Sequence, residues 1–335
     1  MEIYNLTSFP VLPTFMMDDA GSENLIVIVK ATWRMMPEGE LVRHEEQMPI
    51  VTAPVYRGEP DSSSLIYESD VVPIKAGTDC ILIGHAYAPQ KDTCELEAVF
   101  SVGPLVRVVQ VYGERKWGKI LGVRRPIGPI PFEKMPLIYE RSFGGTDESH
   151  PDSARHEVCH DNPVGRGFLA KHSKKNIDDI LFPNIEDPND LYKGIESRPK
   201  PAGFGAVAPF WKPRVDYAGT YDEKWLKHNS PLPPAAIRPE YFNYAPPGLT
   251  SKGFLRGNEW VALGNVAPHQ RIFRFSLPDV RPQVVVKMLQ DRVELESYLD
   301  AIIVEPDDMR VQMVWRAGYN VHGKIRQIRQ IQIET

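Results

Sequence analysis

Five consecutive residues, His156-Glu157-Val158-Cys159-His160, carry the spacing of a zinc-hydrolase site. On a helix, positions i and i+4 bring both imidazoles to one metal, and the intervening glutamate serves as general base on the bound water. The surroundings argue against that helix. Asn162-Pro163 follows at once, and the residue before a proline is pushed out of the α region. The flanks Asp152-Ser-Ala-Arg155 and Asp161-Asn-Pro-Val-Gly165 lack the apolar stripe that would dock a helix in an enzyme core. No Gly and His follow at the spacing of the extended metzincin signature. A polar loop is the expected state, and a zinc-dependent hydrolase using His156, Glu157 and His160 is the alternative reading.

Gly113-Glu-Arg-Lys-Trp-Gly118-Lys119 matches the first seven positions of a phosphate-cradling loop. Ile120 stands where the Mg²⁺-binding hydroxyl is needed, and Leu121-Gly122-Val123 reads as continuing strand, so a β-turn carrying a packed Trp117 is expected. There is no Gly-x-Ser-x-Gly elbow and no dinucleotide Gly-x-Gly-x-x-Gly. Neither a catalytic group nor a cofactor is expected.

The elements that must position these residues follow from composition. The 335 residues hold 39 Lys+Arg and 44 Asp+Glu, a net charge of −5, which argues against a nucleic-acid binder held by phosphate contacts. Hydrophobic residues at 42% and charged residues at 25% describe a globular chain. Three cysteines (Cys80, Cys94, Cys159) with no Cys-x-x-Cys point to a reducing compartment. The N-terminus has no signal-peptide pattern, the longest aliphatic run is Leu25–Val29, and a cytoplasmic protein without a membrane span is expected. The 31 prolines disfavour a helical bundle or a doubly wound α/β enzyme, because proline removes a backbone donor and breaks helix interiors. The fold class expected is mainly β, a sandwich or meander of sheets with long Pro/Gly-rich irregular segments and a few short helices.

Three regions separate. In residues 1–125 period-two alternation dominates: Leu25, Val27, Val29, Ala31 and Trp33 share one face, Lys30, Thr32 and Arg34 the other. Cys94–Val102 and Leu105–Tyr112 read as a hairpin about Gly103-Pro104, and Asp79–Ala88 as a further strand. Residues 126–255 hold 18 of the 31 prolines. Their best helix is Glu223–His228, N-capped by Asp222 and stopped before Pro231, with another turn or two at Ile177–Leu181. Residues 256–335 return to alternation. Met309, Val311, Met313 and Trp315 oppose Arg310, Gln312 and Arg316, and Gln283–Leu289 pairs with Arg292–Leu299. Ile325, Ile328, Ile331 and Ile333 fit neither period. The three regions are either separate domains or one interleaved body.

Several polar-aromatic stretches occur in order: Tyr67-Glu-Ser-Asp70, then Pro73-Ile-Lys75 with Thr78-Asp79, Glu140-Arg-Ser-Phe-Gly-Gly-Thr-Asp147, Asn162-Pro-Val-Gly-Arg-Gly-Phe168, Pro201-Ala-Gly-Phe-Gly205, Trp211-Lys-Pro-Arg214, Ala218–Trp225 and Tyr241-Phe-Asn-Tyr-Ala-Pro-Pro247. Together, from about residue 20 to 290, they resemble a bacterial family of unknown-function domains encoded beside type VI secretion genes. The resemblance implies a non-catalytic adaptor or chaperone that binds a secreted effector, through the effector's N-terminal region, and helps load it onto the VgrG spike or its PAAR tip. A structural spike or baseplate component is a further reading. Tyr67, Asp70, Lys75, Asp79, Trp211, Arg214, Tyr221, Asp222 and Trp225 are expected to line the partner surface or to hold these motifs in shape. Asp70 and Asp79 suit turn amides or a pair with Lys75, and Arg214 suits stacking or a bidentate carboxylate. The aromatics Tyr67, Trp117, Trp211, Tyr217, Tyr221 and Trp225 are either partner anchors or loop packing.

Overall fold

A computed structural model describes residues 1–335, the side chain of Asp179 excepted. The chain is mainly β, 41% strand and 8% helix, with several sheets and no closed barrel. The first sheet runs in the order β2 (Val11–Met17), β3 (Glu23–Met35), β12 (Arg310–Asn320), β11 (Ser297–Glu305), β4 (Asp79–Leu82), all antiparallel except β11 against β4. Leu41–Arg43 adds to β3. The second is the antiparallel series β6 (Leu105–Tyr112), β5 (Glu95–Val102), β7 (Trp260–Ala267), β8 (Gln270–Ser276), with Ile185–Glu186 on the outer side of β6. In the third, β1 (Glu2–Asn5) lies parallel to β13 (Ile328–Glu334), which pairs with β9 (Gln283–Met288) and through it with β10 (Arg292–Leu295). Strands from residues 1–125 and 256–335 share the two larger sheets.

The 13-residue β3 is the axis of the fold. Leu25, Val27, Val29, Ala31 and Trp33 face the main core, where they meet Met313, Trp315 and Ala317 of β12 and Phe100, Leu263 and Phe275 of the second sheet. Phe100 and Phe204 close this core edge to face at 5.9 Å. Each such side chain, fully buried, contributes about 1.5–3 kcal/mol.

The other face of β3 departs from expectation. Its polar positions suggest solvent, yet Lys30 and Thr32 are 0% exposed, and Gln312 and Arg316 on β12 are 1% exposed. Ile26 and Ile28 on that face belong to a second core with Ile81, Ile303, Val314, Tyr139, Trp211 and Tyr244. The proline-rich chain therefore covers the sheet's second face. Its regular pieces are short: α1 (Glu223–His228) and single 3-10 turns such as Arg214–Tyr217 and Pro239–Phe242.

Other boundaries also differ from the sequence pattern. The expected strand Asp79–Ala88 breaks at Ile83-Gly84: β4 stays beside β11, while His85–Tyr87 pairs with Lys134–Pro136. The expected Arg292–Leu299 strand divides at Glu296, β10 serving the third sheet and β11 the first. Only Ile177–Asp179 of the Ile177–Leu181 stretch turns, as one 3-10 turn. Lys116–Ile120 and Val123–Ile127 form a hairpin, and Leu121-Gly122, both at positive φ, are its turn rather than strand. The isoleucine tail begins with a 3-10 turn at Ile325–Gln327. Ile328, Ile331 and Ile333 all face inward because a bulge between Lys287 and Met288 shifts the register by one residue, which no single period describes. Met309 lies outside β12, in the left-handed turn before it.

Candidate functional site

Buried charge ties the irregular chain to the first sheet. Lys30 Nζ meets Asp70 Oδ2 at 2.9 Å, and Lys75 Nζ meets Asp79 Oδ2 at 3.0 Å and Asp300 Oδ2 at 3.1 Å. Arg316 reaches Asp300 through Nε and Nη2, and Arg214 donates through Nη1 to Glu68. Four cations and four carboxylates thus balance on a face closed to water, the condition under which buried charge is tolerated. Asp300 is placed for this by a β-bulge that leaves it unpaired between Leu299 and Ala301. Burial alone would raise the pKa of Asp300, but Arg316 and Lys75 hold it below the usual carboxylate range.

Asp79 is the hub for the Tyr241–Pro247 stretch. It accepts from Asn243 Nδ2 (3.1 Å), Tyr244 N (3.1 Å), Ala245 N (3.2 Å) and Thr250 Oγ1 (2.9 Å). Asp70 accepts from Val51 N at 2.8 Å and pairs with Lys30 rather than Lys75. Arg214 is not bidentate to a carboxylate: Nε goes to Tyr241 O at 2.8 Å, and its guanidinium lies 5.5 Å from the Tyr241 ring centre. Tyr67 is half-buried and donates to Glu305, and burial first, then that carboxylate, raises its phenol pKa.

A second knot joins two more stretches. Asn162, 0% exposed, donates from Nδ2 to Tyr139 O at 2.8 Å and Phe143 O at 3.0 Å. Gly144, at φ 149°, passes so close that a Cβ there would lie 2.1 Å from Asn162 O. Only glycine fits.

Three of the stretches, Pro201–Gly205, Trp211–Arg214 and Tyr241–Pro247, meet at one cleft. An apolar-walled cavity of about 360 Å³ is lined by Ala76, Val207, Pro213, Tyr217, Ala245 and Pro247, with Arg214 in its wall. A second concavity of about 350 Å³ shares Val207, Pro213 and Pro247 with it and is more charged, carrying Arg107, Lys200 and Lys212 against Asp161 and Asp187. Arg107 Nη1 holds Pro247 O at 2.6 Å. Tyr139, in the same wall, has its phenol pushed up to about 12 by burial, only partly offset by Arg107. The arrangement suits a peptide that seats an apolar side chain in the first cavity and charged groups along the second.

The nine residues singled out in the sequence divide accordingly. Asp70, Lys75, Asp79, Trp211 and Arg214 are buried and hold chain in place; Trp211 packs edge to face on Tyr139 at 5.5 Å and is no surface anchor. Tyr67 is half-buried against Glu305, Tyr221 and Asp222 are exposed around α1, and Trp225 is half-buried beside them. Asp222 Oδ1 caps the helix by accepting Trp225 N at 2.8 Å, and Tyr221 and Trp225 stack edge to face at 4.7 Å. Trp117 packs on Phe182 at 5.2 Å beneath its hairpin, whose tip leaves Leu121 98% exposed between Ile120 and Val123.

The His-Glu-x-x-His stretch forms no helix. His156 follows a 3-10 turn, Glu157-Val158 is a strand pairing with Thr146-Asp147, and Asn162-Pro163 comes next. Extended backbone does not bring i and i+4 imidazoles together. His156 Nε2 instead meets His150 O at 2.8 Å, and Glu157 accepts Lys171 N at 2.8 Å. Among the described residues no group of three His, Cys, Asp or Glu side chains is arranged to hold a metal.

Sequence reasoning passed over Lys30, Glu68, Asp300 and Arg316, and the cleft residues Val207, Asn243 and Ala245. Lys30 and Arg316 carried a usable signal, as long cations in mid-strand with apolar residues on both sides, Val29 and Ala31 in one case and Trp315 and Ala317 in the other.

The class defined by these features is a β-sheet protein whose second sheet face is sealed by proline-rich chain and buried ion pairs. The chain belongs to a bacterial family described as "uncharacterized protein conserved in bacteria" (DUF2169), whose model matches residues 20–316. No curated protein and no solved structure matches it. Among the described residues no helix is long and apolar enough to cross a membrane.

Proposed function

We propose that this protein is a non-catalytic adaptor or chaperone that binds a type VI secretion effector in the bacterial cytoplasm and assists its loading onto the VgrG/PAAR spike. The observation that carries the reading is the cleft. Stretches distant in sequence are held by buried charge so that Val207, Pro213, Tyr217, Ala245 and Pro247 wall one apolar cavity beside a charged one. A rigid, preformed groove of this kind takes a partner segment at little ordering cost on its own side. The link to type VI secretion rests on the resemblance of the motifs, and the occupant is the effector's N-terminal region.

The test is co-purification with the effector encoded beside the gene, using an Ala76→Trp variant. Ala76 is exposed on the cavity wall, so the indole fills the cleft without disturbing the core. The expected result is capture by the native protein and loss of capture by the folded variant, together with loss of effector secretion in a deletion strain. Effector secretion that persists without the gene, with no complex formed, removes the proposal.

A further inference from the structure

A different cavity, away from the cleft, is lined with donors that have no protein partner among the described residues, two of them buried and two on the exposed Arg256 and Arg281. It has a volume of about 330 Å³ and lies between the Phe254–Arg256 segment and the start of β11. Two buried polar groups on its walls are without partners, the Trp315 indole N–H and the Ser297 hydroxyl, and Trp315 is 1% exposed. Buried donors are ordinarily paired, so two orphans on one wall call for an acceptor. Trp33, Trp117 and Trp211 also bury unpaired indole N–H groups, but none of them lines this or any of the other cavities described.

Charge points to the kind of acceptor. Arg256 and Arg281 both line the cavity, and among the described residues neither side chain makes a hydrogen bond or an ion pair, whereas most of the arginines in this protein make one or both. Glu296 is the single acidic side chain on the wall, and its carboxylate already accepts the Tyr298 hydroxyl at 2.7 Å. Two guanidinium groups and an indole N–H offer donors only, and the Ser297 hydroxyl can turn its one O–H the same way, the complement of an oxyanion. Phe254 and Tyr298, stacked at 4.6 Å with an interplanar angle of 28°, provide a flat apolar wall beside them.

We propose that this cavity is a binding site for a small organic oxyanion, a carboxylate or phosphate group on a flat apolar body. Arg256 and Arg281 hold the charge, Trp315 Nε1 and Ser297 Oγ donate from the floor, and the ring pair takes the apolar part. The site lies outside the residues assigned to the adaptor reading and stands whether or not that reading does.

The Trp315 indole resonance of the full-length ¹⁵N-labelled protein reports the site. It is assigned by its loss in Trp315→Phe or, if that variant does not fold, by its displacement in Ser297→Ala. Inorganic phosphate and benzoate are titrated separately, with sodium chloride as the control for ionic strength. The expected result is a saturable shift with at least one of the two and none with chloride, the apparent Kd rising about tenfold in each of Arg256→Ala and Arg281→Ala. A response to phosphate alone assigns a phosphate-bearing ligand, and a response to benzoate alone a carboxylate. No saturable shift with either anion, or affinity unchanged in both arginine variants, overturns the proposal.

Discussion

Lys75 Nζ stands 3.1 Å from Asp300 Oδ2, joining the Pro73-Ile-Lys75 stretch to the bulge of β11 with both side chains out of solvent. The same ammonium meets Asp79 at 3.0 Å and lies 4.1 Å from the Tyr244 ring centre. Removing it strands two carboxylates, only one of which keeps a cation in Arg316. Lys75→Met is therefore expected to cost about 3–5 kcal/mol in urea unfolding. Adding Asp79→Asn to Lys75→Met removes one stranded charge and recovers part of that loss. A Lys75→Met protein within about 0.5 kcal/mol of the native one would show that the pairing contributes nothing.

Acid is expected to loosen the fold in a defined window. Burial alone would raise the pKa of Asp147, but hydroxyls of Ser173 and Ser149 and the amides of Ser149 and Ala170 outweigh it and hold the group at about 2. Asp300 is likewise held below its usual value by Arg316 and Lys75. A carboxyl whose folded pKa is depressed stabilises the fold above its unfolded pKa, about 4, and loses that contribution as pH falls through the folded value. Urea midpoints are thus expected to be flat near neutrality and to fall from about pH 4 towards pH 2. Asp147→Asn is expected to lower the midpoint at pH 7 and flatten the acid limb. An unchanged limb in that variant would refute the assignment.

What was legible in the sequence, and what was not, follows from the range of the interactions involved. Alternation in Leu25–Trp33 and Val311–Trp315 told which side chains share a face, because that property is local to the strand. It could not tell what covers each face. Lys30 reads as a solvent residue until Asp70, 40 residues on, is brought against it, and Glu68 waits for Arg214, 146 residues away. The Asp222 cap of α1 was readable because capping is settled within three residues. The break at Gly84 and the change of sheet at Glu296 were not, since both depend on which neighbour the strand joins. The converging stretches were visible as motifs, while the cleft they enclose exists only once Asp79 has gathered Asn243, Tyr244 and Ala245 around itself.

The Asn162 knot offers a test in which backbone and side chain are separable. Gly144→Ala places a methyl 2.1 Å from Asn162 O at a positive φ, so the backbone conformation alone costs about 1–3 kcal/mol and the clash adds to it. Gly205→Ala, in the neighbouring Pro201–Gly205 stretch, meets nothing within 4 Å and has no positive φ. That control is expected to lie within about 0.5 kcal/mol of the native protein. Thermal unfolding of the two variants side by side gives the comparison. Equal Tm values would mean that the knot does not hold residues 140–168 in place.

The hairpin tip separates stability from partner binding. Leu121 is 98% exposed and Val123 53%, on a turn that contributes nothing to either core. Leu121→Asp is therefore expected to leave the urea midpoint unchanged within about 0.5 kcal/mol. Exposed apolar groups grouped at a protruding turn mark contact surfaces. If the proposed effector complex covers this tip, burying the leucine contributes about 1.5–3 kcal/mol, and the aspartate weakens capture by roughly 10- to 100-fold. Titration of the native and Leu121→Asp proteins against the co-purifying effector measures this directly. Equal affinities would confine the complex to the cleft walled by Val207, Tyr217 and Pro247, and the Ala76→Trp variant would then abolish capture on its own.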